Sequence, residues 1–417
     1  MISLPRCVEN IRISLQTLRS NKTKSLLTIL GVIIGVVVVV LIASLLTGVR
    51  QNLRHLVQEY GTDNIYAFHL RTGFEGLPTR EEWARDPLQI EDALAIRREA
   101  TAVRDVAHQA ISLEHLLGRT VRFRSESYGR TLVTGVSSNY GEVMNFSMAE
   151  GRFIDDSDVL RSANVCVLGS NVVDALFPNT SRVLGQLITL DGHPLKIIGV
   201  VDKRKNSFFG ETDDDNSVYL PDRTIKRLDP KQKYLLLIVQ ANPGRLSLAM
   251  DETERILRTR RGLRFQEDND FELSTADGMI DQFEAITSKI SLLAIIISTV
   301  ALFVGGIGVM SVMLVSVTER KREIGLRKAV GAKRQDIVLQ FLFEAVTLTT
   351  LGGIIGIFLA IVSSHLLGFL LPAIPVTIQI WAIISGFTVS VSVGLVFGVW
   401  PALKAASLDP IENLHHE

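Results

Sequence analysis

Apolar residues fall into two textures along this chain, long unbroken runs and short alternating segments. Leu26–Leu46 is 21 residues without a charge, Ile290–Thr318 is 29, and Ala345–Leu403 is 59. Each reaches the roughly 20 residues that cross a hydrocarbon core, and the last is long enough for two crossings. Pro372-Ala-Ile-Pro375 should break that run into two helices joined by a tight turn. The pattern predicts spans at 26–48, 289–317, 341–371 and 377–402. A helical stripe continues past the first span through Val49, Leu53, Leu56 and Tyr60, and another leads into the second through Ile280, Phe283, Ile286 and Ile290. A helix from Leu26 to Tyr60 would be about 52 Å long, against about 30 Å of hydrocarbon. Both helices are therefore expected to stand out of the bilayer as a stalk.

Between them, residues 49–288 carry the shorter texture. Strands are expected at 63–70, 131–136, 164–169, 195–201 and 234–240, and helices at 88–100, 170–177 and 245–261. Residues 71–87 and the acidic 210–217 read as loops. About 240 residues suffice for one core or two small ones. The fold class is a membrane protein of four transmembrane α-helices plus a large α+β extracytoplasmic domain on a helical stalk. Residues 1–25 read as an amphipathic helix, with Val8, Ile11, Leu15 and Leu18 on one face, lying on the inner leaflet of the lipid bilayer or against a partner protein.

Charge orients these spans. The 417 residues carry 44 Lys+Arg and 44 Asp+Glu, a balance that argues against a nucleic-acid partner. Residues 1–25 have a net charge of +4, the segment 318–344 of +3, and residues 49–288 of −6. Short positive loops stay inside, so both termini, the 318–340 connection and the tail 403–417 are expected in the cytoplasm, in a multi-pass bacterial inner-membrane protein. A cleaved signal peptide is the rival for 26–48, but its core exceeds the usual 7–15 residues. Cys7 and Cys166 fall on opposite sides of the bilayer in this topology and cannot pair.

Catalytic chemistry finds no motif. There is no Gly-Lys for a phosphate-binding loop, no His-Glu-x-x-His or Cys-x-x-Cys for zinc, and no Gly-x-Ser-x-Gly elbow. The reading is of a non-catalytic chain that binds no metal or cofactor. Asp213-Asp214-Asp215 reads as a solvated loop and His415-His416 as a frayed tail. His365 is the one ionisable residue well inside a span, whereas transport routes are usually marked by several. Glycine pairs stand out instead: Gly31 and Gly35, Gly352 and Gly356, Gly394 and Gly398. Such pairs let helices approach closely, within one bundle or at a subunit contact.

The densest information lies in Val317-Thr-Glu-Arg-Lys-Arg-Glu-Ile-Gly-Leu-Arg-Lys-Ala-Val-Gly-Ala332, where Ile324, Leu326, Ala329 and Val330 form an apolar ridge among interleaved charges. A basic anchor to anionic lipid is one reading; the mixed signs favour a structured protein contact. This segment resembles the signature of the MacB/FtsX family of ABC transporter permeases. So do Asn21 to Gly35 at the entry to the first span, Glu150-Gly-Arg-Phe153, Asp158, Val165 to Ser170, Leu184 to Ile188, and Ile197 to Val200.

The resemblance implies a dimer, with a second copy or a paralogue, bound to a cytoplasmic ABC ATPase that holds ATP and Mg. Glu319, Arg320, Arg322, Glu323, Gly325, Arg327, Gly331 and Ala332 would form the ATPase-coupling loop. Motion would pass through the stalk to the outer domain without moving substrate through the membrane. MacB carries its ATPase ahead of the first span, while 25 residues precede it here, so the ATPase is expected on a separate polypeptide. Efflux or export of antimicrobial compounds, peptides or similar substrates is the leading expectation, with a periplasmic adaptor and an outer-membrane duct as further partners. The alternatives are a lipoprotein-releasing permease of the LolC/LolE type and a non-transport signalling receptor.

Overall fold

The computed structural model describes residues 22–60, 63–71, 78–111, 118–178, 182–203, 213–230, 234–370 and 377–408. In chain order these form α1 (Lys22–Tyr60), β1 (Asn64–Phe68), α2 (Arg80–Trp83), α3 (Ile90–Glu99), β2 (Val103–Ile111), β3 (Arg119–Phe123) and β4 (Glu126–Val136). Then come α4 (Tyr140–Val143), β5 (Met148–Gly151), α5 (Asp156–Leu160), β6 (Val165–Leu168), α6 (Ser170–Leu176), β7 (Leu187–Leu190) and β8 (His193–Val201). The chain continues through β9 (Ser217–Pro221), α7 (Asp222–Leu228), β10 (Tyr234–Ala241), α8 (Leu246–Arg260) and β11 (Glu272–Thr275). Last are α9 (Ala276–Glu319), α10 (Lys321–Ala329), α11 (Arg334–Leu370) and α12 (Ile380–Ser407). The chain divides into two units, one of residues 1–49 with 287–417 and one of residues 50–286.

Among the described residues, four helices are long and apolar enough to cross a membrane: Ile29–Gln51 of α1, then α9, α11 and α12. Small residues let α1 pack against the other three. Gly31 lies on Gly305 and Gly35 on Leu302 of α9, Gly352 and Gly356 of α11 face Val32 and Val36, and Gly386 of α12 faces Val36 and Val40. Between α11 and α12, Gly394 packs on Thr349, Gly398 on Ala345, and the Ser390 hydroxyl donates to the Thr349 carbonyl oxygen at 2.5 Å. All six glycines singled out in the sequence therefore meet atoms of this same chain. Trp381 and Trp400, both about half exposed, sit 19 residues apart on α12, a rise of about 28 Å. That matches the separation of the two interfacial aromatic belts. Lys404 stacks over the Trp400 ring at 5.2 Å, as a snorkelling lysine does.

The second unit has two lobes. An antiparallel sheet of order β11-β1-β10-β2 carries α3 and α8. Beyond it the strands β4-β3-β7-β8-β6-β9 close on themselves, because β9 pairs in parallel with β4. Closure removes the edges that an open six-stranded sheet would expose. The two lobes meet where β2 pairs with β4 at Gln109–Val136 and Ala110–Gly135. Alternating apolar positions fill a core of Ile65, Val106, Val133, Leu168, Ile188 and Ile197, among others, and Cys166 is buried there, its thiol pushed up by desolvation. Arg50 of α1 is ion-paired with Glu284 of α9, so the two helices adjoin within this unit.

The motif Glu150-Gly-Arg-Phe153 has a structural explanation. Gly151 sits at φ +77°, and a β-carbon there would run into the Ile198 carbonyl oxygen. Arg152 forms a two-pronged bond to Asp158, at 2.6 and 3.3 Å, that pins the start of α5. Phe153 then covers Gly141 and joins the ring cluster of Tyr140, Phe146 and Tyr219.

Three expectations need correction. Asp214 and Asp215 of the acidic run are buried rather than solvated, accepting from the Tyr219 and Ser170 hydroxyls at 2.6 and 3.0 Å. Residues 71–87 are not wholly a loop, because Thr79 and Glu82 form a reciprocal capping box that starts α2. The connection 318–340 is largely helical: α9 runs to Glu319, α10 occupies Lys321–Ala329, and α11 begins at Arg334. The amphipathic segment up to residue 21, the Pro372–Pro375 turn and the tail from 409, with His415 and His416, lie outside the described residues.

Candidate functional site

α10 is a nine-residue helix held between the ends of three longer ones. It ends in a Schellman motif: the Ala332 amide donates to the Arg327 carbonyl and the Gly331 amide to that of Lys328. Gly331 takes φ +104°, which a side chain would resist. The Val-Gly-Ala of the charged segment is thus a helix stop. Asp336 then accepts from the Lys333 amide at 3.1 Å and opens α11.

The ridge seen in the sequence splits in space. Ile324 is 1% exposed and enters a cluster with Met313 and Val317 of α9, Phe341 and Ala345 of α11, and Ala402 and Ala405 of α12. Burying it contributes about 2 kcal/mol. Leu326 and Val330 point the other way, 57% and 83% exposed. With Arg327, Gly331 and Ala332 they line an open concavity of about 440 Å³.

The charged residues divide in the same manner. Arg320 turns inward, 3.7 Å from Glu344 of α11, whose carboxylate is buried. Arg327 donates to Glu323 at 2.6 Å and to Gln340 of α11 at 2.9 Å, tying α10 to α11. Glu319 and Arg322 are exposed, while Gly325 is buried. Lys328, absent from the candidate residues drawn from sequence, donates through Nζ to the carbonyl oxygens of Ala406 at 2.5 Å and Leu408 at 2.7 Å. Gln340 and Glu344 were also invisible as partners, since their only signal was one polar side each on an apolar helix. Among the described residues no cluster of three or more His, Cys, Asp or Glu side chains could hold a metal ion.

Two family models match in tandem: the MacB-like periplasmic core domain over residues 25–256 and the FtsX-like permease C-terminal region over residues 295–410. The chain belongs to the MacB/FtsX-like ABC transporter permeases. As a member of this family with four apolar helices, it is a multi-pass inner-membrane protein with a periplasmic domain. The macrolide export ATP-binding/permease protein MacB of Azoarcus sp. is 33% identical over 417 residues, covering 100% of this chain and 60% of that protein. The MacB proteins of Agrobacterium fabrum, 33% identical with 99% and 61% covered, and Neisseria gonorrhoeae, 32% identical with 98% and 61% covered, are similar to it as well. The chain thus spans about three-fifths of the length of these relatives. The periplasmic region of MacB from Actinobacillus actinomycetemcomitans overlays 56% of this permease and 97% of its own chain, at a TM-score of 0.45 and 19% identity.

Proposed function

We propose that this permease converts ATP hydrolysis by a cytoplasmic ABC ATPase into movement of its periplasmic domain, and so drives export of a substrate on the periplasmic side. The observation that carries the reading is α10. Its buried face and polar ties bind it to the membrane helices, while Leu326 and Val330 are left outward beside a concavity. A surface of that kind suits an apolar partner contact that pulls on the bundle. ATP and Mg belong to the ATPase in this scheme.

The charges of +4 over residues 1–25 and +3 over 318–344 support both termini and α10 on the cytoplasmic side. The Lys328 bonds to Ala406 and Leu408 put α10 and the end of α12 on one side of the bundle, as that topology requires. A second copy or a paralogue completes the dimer. Macrolide-like antimicrobials and peptides are the proposed cargo classes, with a periplasmic adaptor and an outer-membrane duct to complete the route. The glycine-packed helices fit a machine that moves as a bundle, and His365 faces outward from it.

The test is purification of the chain from its native membrane in mild detergent, with mass spectrometry of the proteins that accompany it. An ABC ATPase in equal amount is expected. Its absence, even with a non-hydrolysable nucleotide present, would sink the reading in favour of a signalling receptor.

A further inference from the structure

α10 is tied by polar side chains at both of its ends, and the ties go to different helices. Arg320 and Arg327 reach Glu344 and Gln340, both on α11. Lys328 reaches the carbonyl of Ala406 in the last turn of α12 and that of Leu408, which caps it. The final four carbonyls of a helix lack intrahelical donors, and the helix dipole makes that end partially negative. An ammonium is a compact cation with three donors, and Lys328 places two of them on this end.

The two helices so engaged pack on each other further along the bundle, where Ser390 bonds the Thr349 carbonyl and a methyl group on Gly398 would lie 2.6 Å from the Ala345 side chain, and residues 402–408 follow those contacts in the chain.

We propose that Lys328 is a positioning residue that transmits displacement of α10 to the end of α12, making α10, α11 and α12 one moving body. The proposal rests on the reading of α10 as the coupling helix. Without the ammonium, Arg320 and Arg327 would still drag α11, but the carbonyl end of α12 would lose its polar handle on α10. ATPase docking uses the opposite, exposed face and does not depend on Lys328.

The experiment compares the full-length chain with Lys328→Met, which keeps the stem and removes the charge, and Lys328→Arg, which restores it. Each is purified with its ATPase, and deuterium uptake is read with and without a non-hydrolysable nucleotide. In the unaltered chain the nucleotide should change uptake at both 334–340 and 402–408. Lys328→Met should keep the ATPase and the response at 334–340, while the response at 402–408 falls at least threefold. Lys328→Arg should recover it. A full response at 402–408 in Lys328→Met would overturn the proposal, as would no response there in the unaltered chain. Loss of the ATPase in Lys328→Met would make Lys328 a docking residue and overturn it equally.

Amine acylation of the unaltered chain checks the clamp separately. Lys328 should label at least tenfold more slowly than the exposed Lys333, and equal labelling would remove the clamp. Failure of the unaltered chain to bring down any ATPase would instead count against the coupling reading, with the acylation result still judging the clamp.

Discussion

Gly31 of α1 and Gly305 of α9 meet backbone to backbone. A β-carbon on Gly31 would lie 2.7 Å from the Gly305 Cα, and one on Gly305 would lie 2.9 Å from the Val32 nitrogen. Neither neighbour is a side chain that can swing away. Gly31→Ala or Gly305→Ala should therefore force the helices apart at about 1–3 kcal/mol, and a charge at Gly31 should prevent packing altogether. Gly35→Ala should cost less, because its obstacle is the Leu302 side chain. Gly368→Ala, with nothing within 4 Å, should be neutral. Thermal unfolding in detergent ranks the four, and equal melting temperatures for Gly31→Ala and Gly368→Ala would refute the packing account.

The exposed face of α10 makes a cleaner test of ATPase docking than its charges do. Glu323 and Arg327 bond each other, and Arg327 also holds Gln340, so replacing either disturbs α10 itself. Leu326→Asp and Val330→Asp remove apolar surface that is 57% and 83% exposed among the described residues. Each should weaken ATPase binding by tenfold or more with the melting temperature unchanged. Binding at the level of the unaltered chain would move the docking face elsewhere.

Arg320, about a quarter exposed, pairs with the buried Glu344, and removing Arg320 alone leaves that carboxylate uncompensated, which is costlier than removing both. Arg320→Gln should destabilise the bundle by about 3 kcal/mol. Adding Glu344→Gln should restore at least half of that. A double-mutant cycle by chemical denaturation reads the coupling, and strictly additive losses would show that the pair contributes nothing.

Acid should weaken the periplasmic domain through His69. Its ring stacks on Tyr234 at 5.0 Å and is fully buried, with both ring nitrogens lacking a hydrogen-bond partner among the described residues. Burial first, then the charges of Arg261 and Arg85, lower its pKa from 6.5 to about 4. Between those values the unfolded chain takes up a proton that the folded one refuses, so stability is full above pH 6.5 and falls as the pH drops towards 4. His69→Phe keeps the ring stack and removes the two unsatisfied nitrogens. Its melting temperature should drop less than that of the unaltered chain between pH 7 and 4.5. Parallel curves would show that other groups set the acid limb.

Much of this molecule is legible along the chain because its strongest signals are local. Uncharged runs of 20 residues or more mark the spans, since lipid admits little else. Strands such as Val165–Leu168 and Tyr234–Ala241 show through their apolar runs and flanking turn residues. Short helices with their own caps are harder. The Thr79–Glu82 box lay inside a stretch that reads as loop by its glycine and proline content, and α10 was hidden by its charge density. The family signatures are themselves local, which is why Gly331 and Arg152 stand out before their turn and ion pair are seen.

Sequence alone determined the number of spans, five of the eleven strands among the described residues and the segment joining α9 to α11. Hydrophobicity, charge and turn chemistry act within a few residues of each other and need no partner to be read. Only the tertiary structure decided that the strands β4-β3-β7-β8-β6-β9 close into a barrel, that Gly31 faces Gly305, and that Arg320 turns inward while Leu326 turns out. It alone paired Lys328 with carbonyls 78 and 80 residues away. Those relationships join positions far apart in the chain, and a backbone carbonyl that accepts such a bond has no residue letter of its own.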